Sequence, residues 1–187
     1  MAKYNARLNG TFCELGGIDA SLSDDQIKGS IQEFLNAFQQ QSGEKVIENV
    51  LILPPDYTRF HSQAGKITQF ISEFYRGMDE GETSEDVKIS ILPALGTHAP
   101  MTDEQIKSMF GEKLLKDENT EFIVHNWRND IVTIGEVPAS MVRDATNGMV
   151  NVPWPAQLNR LVWEGGHDLV LSIGQVVPHE VMGKLNM

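Results

Sequence analysis

The sequence predicts an open α/β domain, a mostly parallel sheet with helices on both faces in the Rossmann-like manner. Three observations carry that reading. β-branched runs of strand length recur at 46–53, 87–92 and 168–173. Segments with apolar residues at helical spacing separate them, and alternation of strand and helix favours parallel pairing through right-handed crossovers. Finally, a polar string follows each run: Pro54-Pro55-Asp56-Tyr57-Thr58-Arg59, Gly96-Thr97-His98-Ala99-Pro100 and Pro178-His179. In such a sheet the carboxyl ends of the strands share one rim, where ligands bind.

The elements follow in order. Residues 1–20 form a mixed polar extension with a turn at Gly16-Gly17. Ser23 opens a helix, because Gln26 stands three residues on as a capping box requires, and Ile27, Ile31, Phe34, Leu35 and Phe38 follow on one face. The strand at 46–53 leads to a helix at 62–78 with Ile67, Phe70, Ile71, Phe74 and Met78 as its apolar stripe. An acidic connection at 79–86 precedes the strand at 87–92. Thr102 and Gln105 form a second capping box for a helix carrying Ile106, Met109 and Phe110, which Gly111 is expected to end. Residues 121–125 and 131–134 read as strands around a polar stretch bearing Trp127. Pro153-Trp154-Pro155 is expected to interrupt regular structure, with a short helix at 156–163 before the strand at 168–173. No repeat or linker divides the chain, so residues 1–187 are read as one domain.

Composition narrows the function. A chain of 187 residues with 41% hydrophobic and 22% charged residues is globular rather than disordered. Its 26 acidic against 15 basic residues give −11 at pH 7, a field that repels phosphate backbones and anionic lipid. Nucleic acid and membrane are therefore not expected partners, although a local cationic pocket remains open to a small anion. One cysteine, Cys13, has no partner for an internal disulfide, and there is neither an apolar leader nor a run of about 20 apolar residues. A cytoplasmic location is expected. Walker-type, Gly-x-Gly-x-x-Gly and Gly-x-Ser-x-Gly strings are absent.

The rim strings hold the candidate chemistry. At Asp56 and Arg59 a carboxylate can orient a ligand donor while a guanidinium grips a substrate carboxylate through its fork. The plainer alternative is a mutual surface ion pair. Thr58 can donate to a phosphate at the helix start or simply cap the backbone. His98, in a tight loop after Thr97 and just ahead of a helix, suits a general base near neutral pH. His179 ends the last strand and by the same logic shares the rim. Two imidazoles facing one carbon from opposite sides would serve a racemase; the competing use is metal ligation, for which no third ligand stands at fixed spacing. His125 and His167 read as structural, and Trp127, Trp154 and Trp163 as packing residues.

Taken together, Pro55-Asp56-Tyr57-Thr58-Arg59, Gly96-Thr97-His98-Ala99-Pro100-Met101-Thr102 and Ile173-Gly174-Gln175-Val176-Val177-Pro178-His179 resemble the amino-terminal domain of the lactate racemase family. Val124-His125-Asn126-Trp127-Arg128-Asn129-Asp130 and Ile134-Gly135-Glu136-Val137-Pro138 do so as well, and the likeness spans roughly residues 45–183. The resemblance implies a racemase or epimerase of 2-hydroxy acids, using a nickel-pincer nucleotide that takes and returns a hydride. It implies His98 and His179 as the paired acid/base residues and Arg59 and Asp56 as substrate-binding residues; Thr58 and Thr97 are the expected contacts to the cofactor. The sequence departs from the family after His179: Lys184 stands too close to it for the tethering lysine, and no further histidine follows to ligate nickel. The expectation is a half-site, completed by an absent carboxy-terminal domain and inactive alone. The alternative is a stand-alone, non-catalytic module that binds a nucleotide or a small carboxylate.

Overall fold

The computed structural model describes residues 12–42, 46–77, 87–179 and 183–186, with 176–179 and 183–186 as backbone only. Among these, four parallel strands form a sheet in the order β3-β2-β1-β6: β1 Asn49–Leu53, β2 Lys88–Ile91, β3 Thr120–Phe122 and β6 Leu169–Ser172. Helices α1 Asp24–Gln41, α2 Ala64–Tyr75 and α3 Asp103–Leu115 flank it. The expected parallel α/β class is the observed one.

Both capping boxes form. Ser23 Oγ accepts from the Gln26 N–H at 3.2 Å while Gln26 Oε1 accepts from the Ser23 N–H at 2.9 Å, and Thr102 with Gln105 repeats the pattern. Each pair satisfies amides that the first helical turn leaves without partners. The apolar stripes then meet the sheet: Leu35 and Phe38 of α1, Ile71 and Tyr75 of α2, and Met109, Phe110 and Leu114 of α3 join Val50, Ile52, Ile89 and Ile91 in one core. Alternate residues of β1 and β2 face these helices, as the two-residue period of a strand requires. At Gly65 the backbones of α2 and α3 come close together, since a Cβ there would lie 2.0 Å from the Met109 carbonyl oxygen.

Polar contacts fix the register. Asp168 accepts from the amides of Glu48 and Asn49, each at 3.0 Å, which ties the start of β6 to the start of β1. Arg76, at the end of α2, donates to Asp117 at 2.7 Å and to the Val87 carbonyl at 2.7 Å. Thr120 Oγ1 donates to the same Asp117 carboxylate at 2.7 Å. Burial acts to raise the Asp117 pKa, but the bonds from Arg76, Thr120 and the Asn119 amide together bring it below the usual carboxylate value.

Four expectations need correction. Gly111 does not end α3: it takes a positive φ of 79° and kinks a helix that resumes to Leu115, both halves being held by buried Phe110 and Leu114. A 3-10 helix at Tyr57–Ser62 precedes α2, which starts at Ala64 rather than at residue 62. Pro153-Trp154-Pro155 does not exclude regular structure. Strand β5 Trp154–Asn159 begins within it and pairs antiparallel with β4 Ile131–Val137, where Pro155 is tolerated because a two-stranded ribbon has open edges. The helix expected at 156–163 shrinks to α5 Arg160–Glu164, its first turn capped by Asn159 Oδ1 accepting from the Leu161 amide at 2.9 Å. A short helix α4 Ala139–Ala145, which the sequence reading did not anticipate, lies between β4 and β5. Met78 and the connection at 79–86 lie outside the described residues. A backbone hairpin of β7 Val176–His179 and β8 Gly183–Asn186 follows β6.

Candidate functional site

β1 and β2 stay in register beyond their formal ends. Leu92 N–H donates to the Ile52 carbonyl at 2.9 Å, Ala94 N–H to the Pro54 carbonyl at 2.7 Å, and Pro55 and Ala94 form a further parallel bridge. This extension carries the two rim strings side by side. Past it, Asp56 caps the 3-10 helix, and a turn closed by the His98 N–H on the Leu95 carbonyl at 2.9 Å brings His98 back over it. Gly96 makes that turn with a positive φ of 56°.

The result is a dyad. His98 Nδ1 lies 2.5 Å from Asp56 Oδ2, while Asp56 Oδ1 accepts from the Thr58 amide at 3.0 Å and from Thr58 Oγ1 at 2.5 Å. Asp56 is buried at 6% exposure, whereas the His98 side chain is 61% exposed. Burial acts to raise the Asp56 pKa, but the hydrogen bonds from Thr58 and His98 outweigh it and hold the carboxyl below its ordinary range. An ionised carboxylate can only accept, so the proton of the shared bond sits on Nδ1. With Nδ1 engaged and the side chain largely exposed, Nε2 is the ring nitrogen open to a ligand.

The structure shows what the Asp56 carboxylate meets inside the chain. Sequence reasoning gave its carboxylate to a ligand or to Arg59; here it is taken by His98 and Thr58. Thr58 donates both its amide and its hydroxyl to Asp56, the residue that caps the 3-10 helix. Arg59, half-buried in the 3-10 helix, makes no ion pair among the described residues. Thr97 is exposed in the turn before His98. The backbone of His179 ends β7, and its side chain lies outside the described residues.

His125 and His167, expected to be structural, each meet a neighbour within the chain. His125 Nδ1 meets Asn159 Nδ2 at 2.9 Å, tying the entry of β4 to the exit of β5, and the His167 ring packs over Gly165. Among the described residues no three His, Cys, Asp or Glu side chains are grouped to hold a metal ion. No helix among them is long and apolar enough to cross a membrane.

Comparison with known proteins places this chain in a family. The model of the lactate racemase N-terminal domain matches residues 19–184. The chain belongs to that family. It is 24% identical over 162 residues to a lactate racemase of Thermoanaerobacterium thermosaccharolyticum, covering 86% of this chain and 33% of that protein. The solved apoprotein of that lactate racemase superposes with a TM-score of 0.57 at 24% identity, over 86% of this chain and 34% of the other. A crystal structure of a Thermotoga maritima protein gives 0.69 at 24% identity, over 85% and 35%. At that identity the structural likeness speaks for the fold. This chain spans about a third of the length of the relatives it matches.

Proposed function

We propose that this domain supplies the proton-transfer and carboxylate-binding half of a 2-hydroxy-acid racemase or epimerase site. The observation that carries the reading is the Asp56–His98 dyad on the rim, with the Arg59 guanidinium left without an ionic partner among the described residues. Arg59 would hold the substrate carboxylate through a bidentate fork. His98 Nε2 would then accept the proton of the neighbouring hydroxyl, and the Asp56 carboxylate would stabilise the imidazolium that forms and keep the ring in the required tautomer. His179 is the proposed counterpart for the opposite face.

The nickel-pincer nucleotide of the complete family enzymes supplies hydride chemistry. Among the described residues no three His, Cys, Asp or Glu side chains are grouped as metal ligands, and Nδ1 of His98 is already bonded to Asp56. The domain is proposed to bind its substrate without turning it over by itself. Calorimetric titration with D- and L-lactate tests this. Arg59→Ala is expected to weaken lactate binding about 10- to 100-fold, the range of a lost charge-assisted bond. An affinity unchanged by that substitution removes Arg59 from the site. Racemisation by the isolated chain refutes the division of labour.

A further inference from the structure

Several side chains of this molecule accept the backbone amide two residues on, and they sort their donors differently. Asn159 Oδ1 accepts from the Leu161 amide at 2.9 Å and caps α5 with that bond, since the Leu161 side chain has no donor to add. Asp117 Oδ1 accepts from the Asn119 amide at 3.1 Å, while its Oδ2 takes Arg76 and the Thr120 hydroxyl together. At Asp56 the amide and the hydroxyl of Thr58 are both gathered on Oδ1, and Oδ2 is left to His98.

The Asn159 cap shows that this turn needs no hydroxyl at its third residue, so the Thr58 hydroxyl has another task. Threonines inside the helices donate to the carbonyl four residues back, as Thr68 does to Ala64 and Thr146 to Val142, each at 2.8 Å. Thr58 instead gives its only hydroxyl proton to a carboxylate that is almost wholly buried. A carboxylate in such a place needs donors on its oxygens. Two donors fixed on one oxygen also fix the rotation of the group, a torsion that is otherwise broad.

We propose that Thr58 is the positioning residue of the dyad: its hydroxyl locks the Asp56 carboxylate with Oδ2 toward Nδ1 of His98, and so sets which ring nitrogen carries the proton. A neutral imidazole has one N–H and one lone pair. With Oδ2 held in place as an acceptor, the proton stays on Nδ1 and the lone pair on Nε2. Thr58, expected as a cofactor contact, acts in this role only through Asp56. The use of that lone pair in proton transfer rests on the function proposed above; the control of the tautomer rests on the hydrogen bonds alone.

Nitrogen chemical shifts of the imidazole rings in the full 187-residue chain test this, because they distinguish the two neutral tautomers. Neutral His98 is expected chiefly as the Nδ1–H form. In Thr58→Val, which keeps a branched side chain and loses the donor, the ratio of Nδ1–H to Nε2–H should fall about tenfold, the size of one hydrogen bond to a charged group. Thr58→Ser should restore it. His125 and His167, which meet other partners, should not change in either variant, and this separates the role from a general loss of structure. An Nε2–H tautomer at His98 in the parent chain overturns the proposal before any variant is made. So does a Thr58→Val ratio equal to the parent's, or a Thr58→Ser that behaves like Thr58→Val. Lactate titration reads separately: loss of the Arg59-dependent binding would strike the proposed function and leave the tautomer result standing.

Discussion

Val50 and Trp154 are both apolar residues on strands, yet the first is fully buried and the second is more than half exposed. Their surroundings explain the difference. β1 is an inner strand, paired on both sides and covered by helices, so its run Val50-Leu51-Ile52 is continuous. β5 has one neighbour and a solvated back, so its apolar residues alternate. Stability in this molecule therefore resides in the sheet and helices α1–α3, and the arm that runs from β3 to β6 contributes surface. Substitutions in the two regions should differ by several kcal/mol.

The largest effect is expected at Phe110, which is fully buried and packs its ring, tilted at 58°, 5.2 Å from that of Phe122 in β3. Phe110→Ala should destabilise the domain by about 3–5 kcal/mol in urea unfolding, from lost transfer energy and the cavity left behind. A loss below about 1 kcal/mol would mean that the α3–sheet contact is not the principal support of the core.

Arg76 is next. It bonds the end of α2 to Asp117 and the start of β2, so Arg76→Ala leaves a half-buried carboxylate without its partner and should cost about 2–3 kcal/mol. The same bond gives a pH signature. Folding lowers the Asp117 pKa from its ordinary 3.8, so the native state binds this proton less readily than the unfolded chain. The stabilisation is complete above that ordinary value and is lost as pH falls through the lowered one. Urea titrations between pH 7 and pH 2 should show Asp117→Asn with a shallower acid loss than the parent. An unchanged acid slope would show that Asp117 does not report on folding.

The same contrast sets what could be read from the sequence. Helices α1 and α3 were legible at their first turns because a capping box is written within four residues. The inner strands were legible because burial on both faces needs an unbroken apolar run. The rim was legible too, since strand ends mark it. The Asp56–His98 bond was not: it depends on the β1–β2 register and on the Pro55–Ala94 bridge, a pairing across 42 positions that no local spacing encodes. In the arm, the two-residue alternation of Trp154, Ala156 and Leu158 was a real strand signal, overridden in the reading by the adjacent prolines.

The smallest effect is expected in the arm and tests the comparison from its other side. Trp154→Ala removes the largest kind of apolar side chain, which in a core would cost as much as Phe110→Ala. At 63% exposure most of its surface is already in water, so little is lost on truncation. Trp154→Ala should move unfolding free energy by less than about 0.5 kcal/mol. Amide exchange should agree, with β4 and β5 opening at much lower free energy than β1 and β2. A Trp154→Ala loss of 2 kcal/mol or more would place the arm inside the cooperative core and erase the distinction.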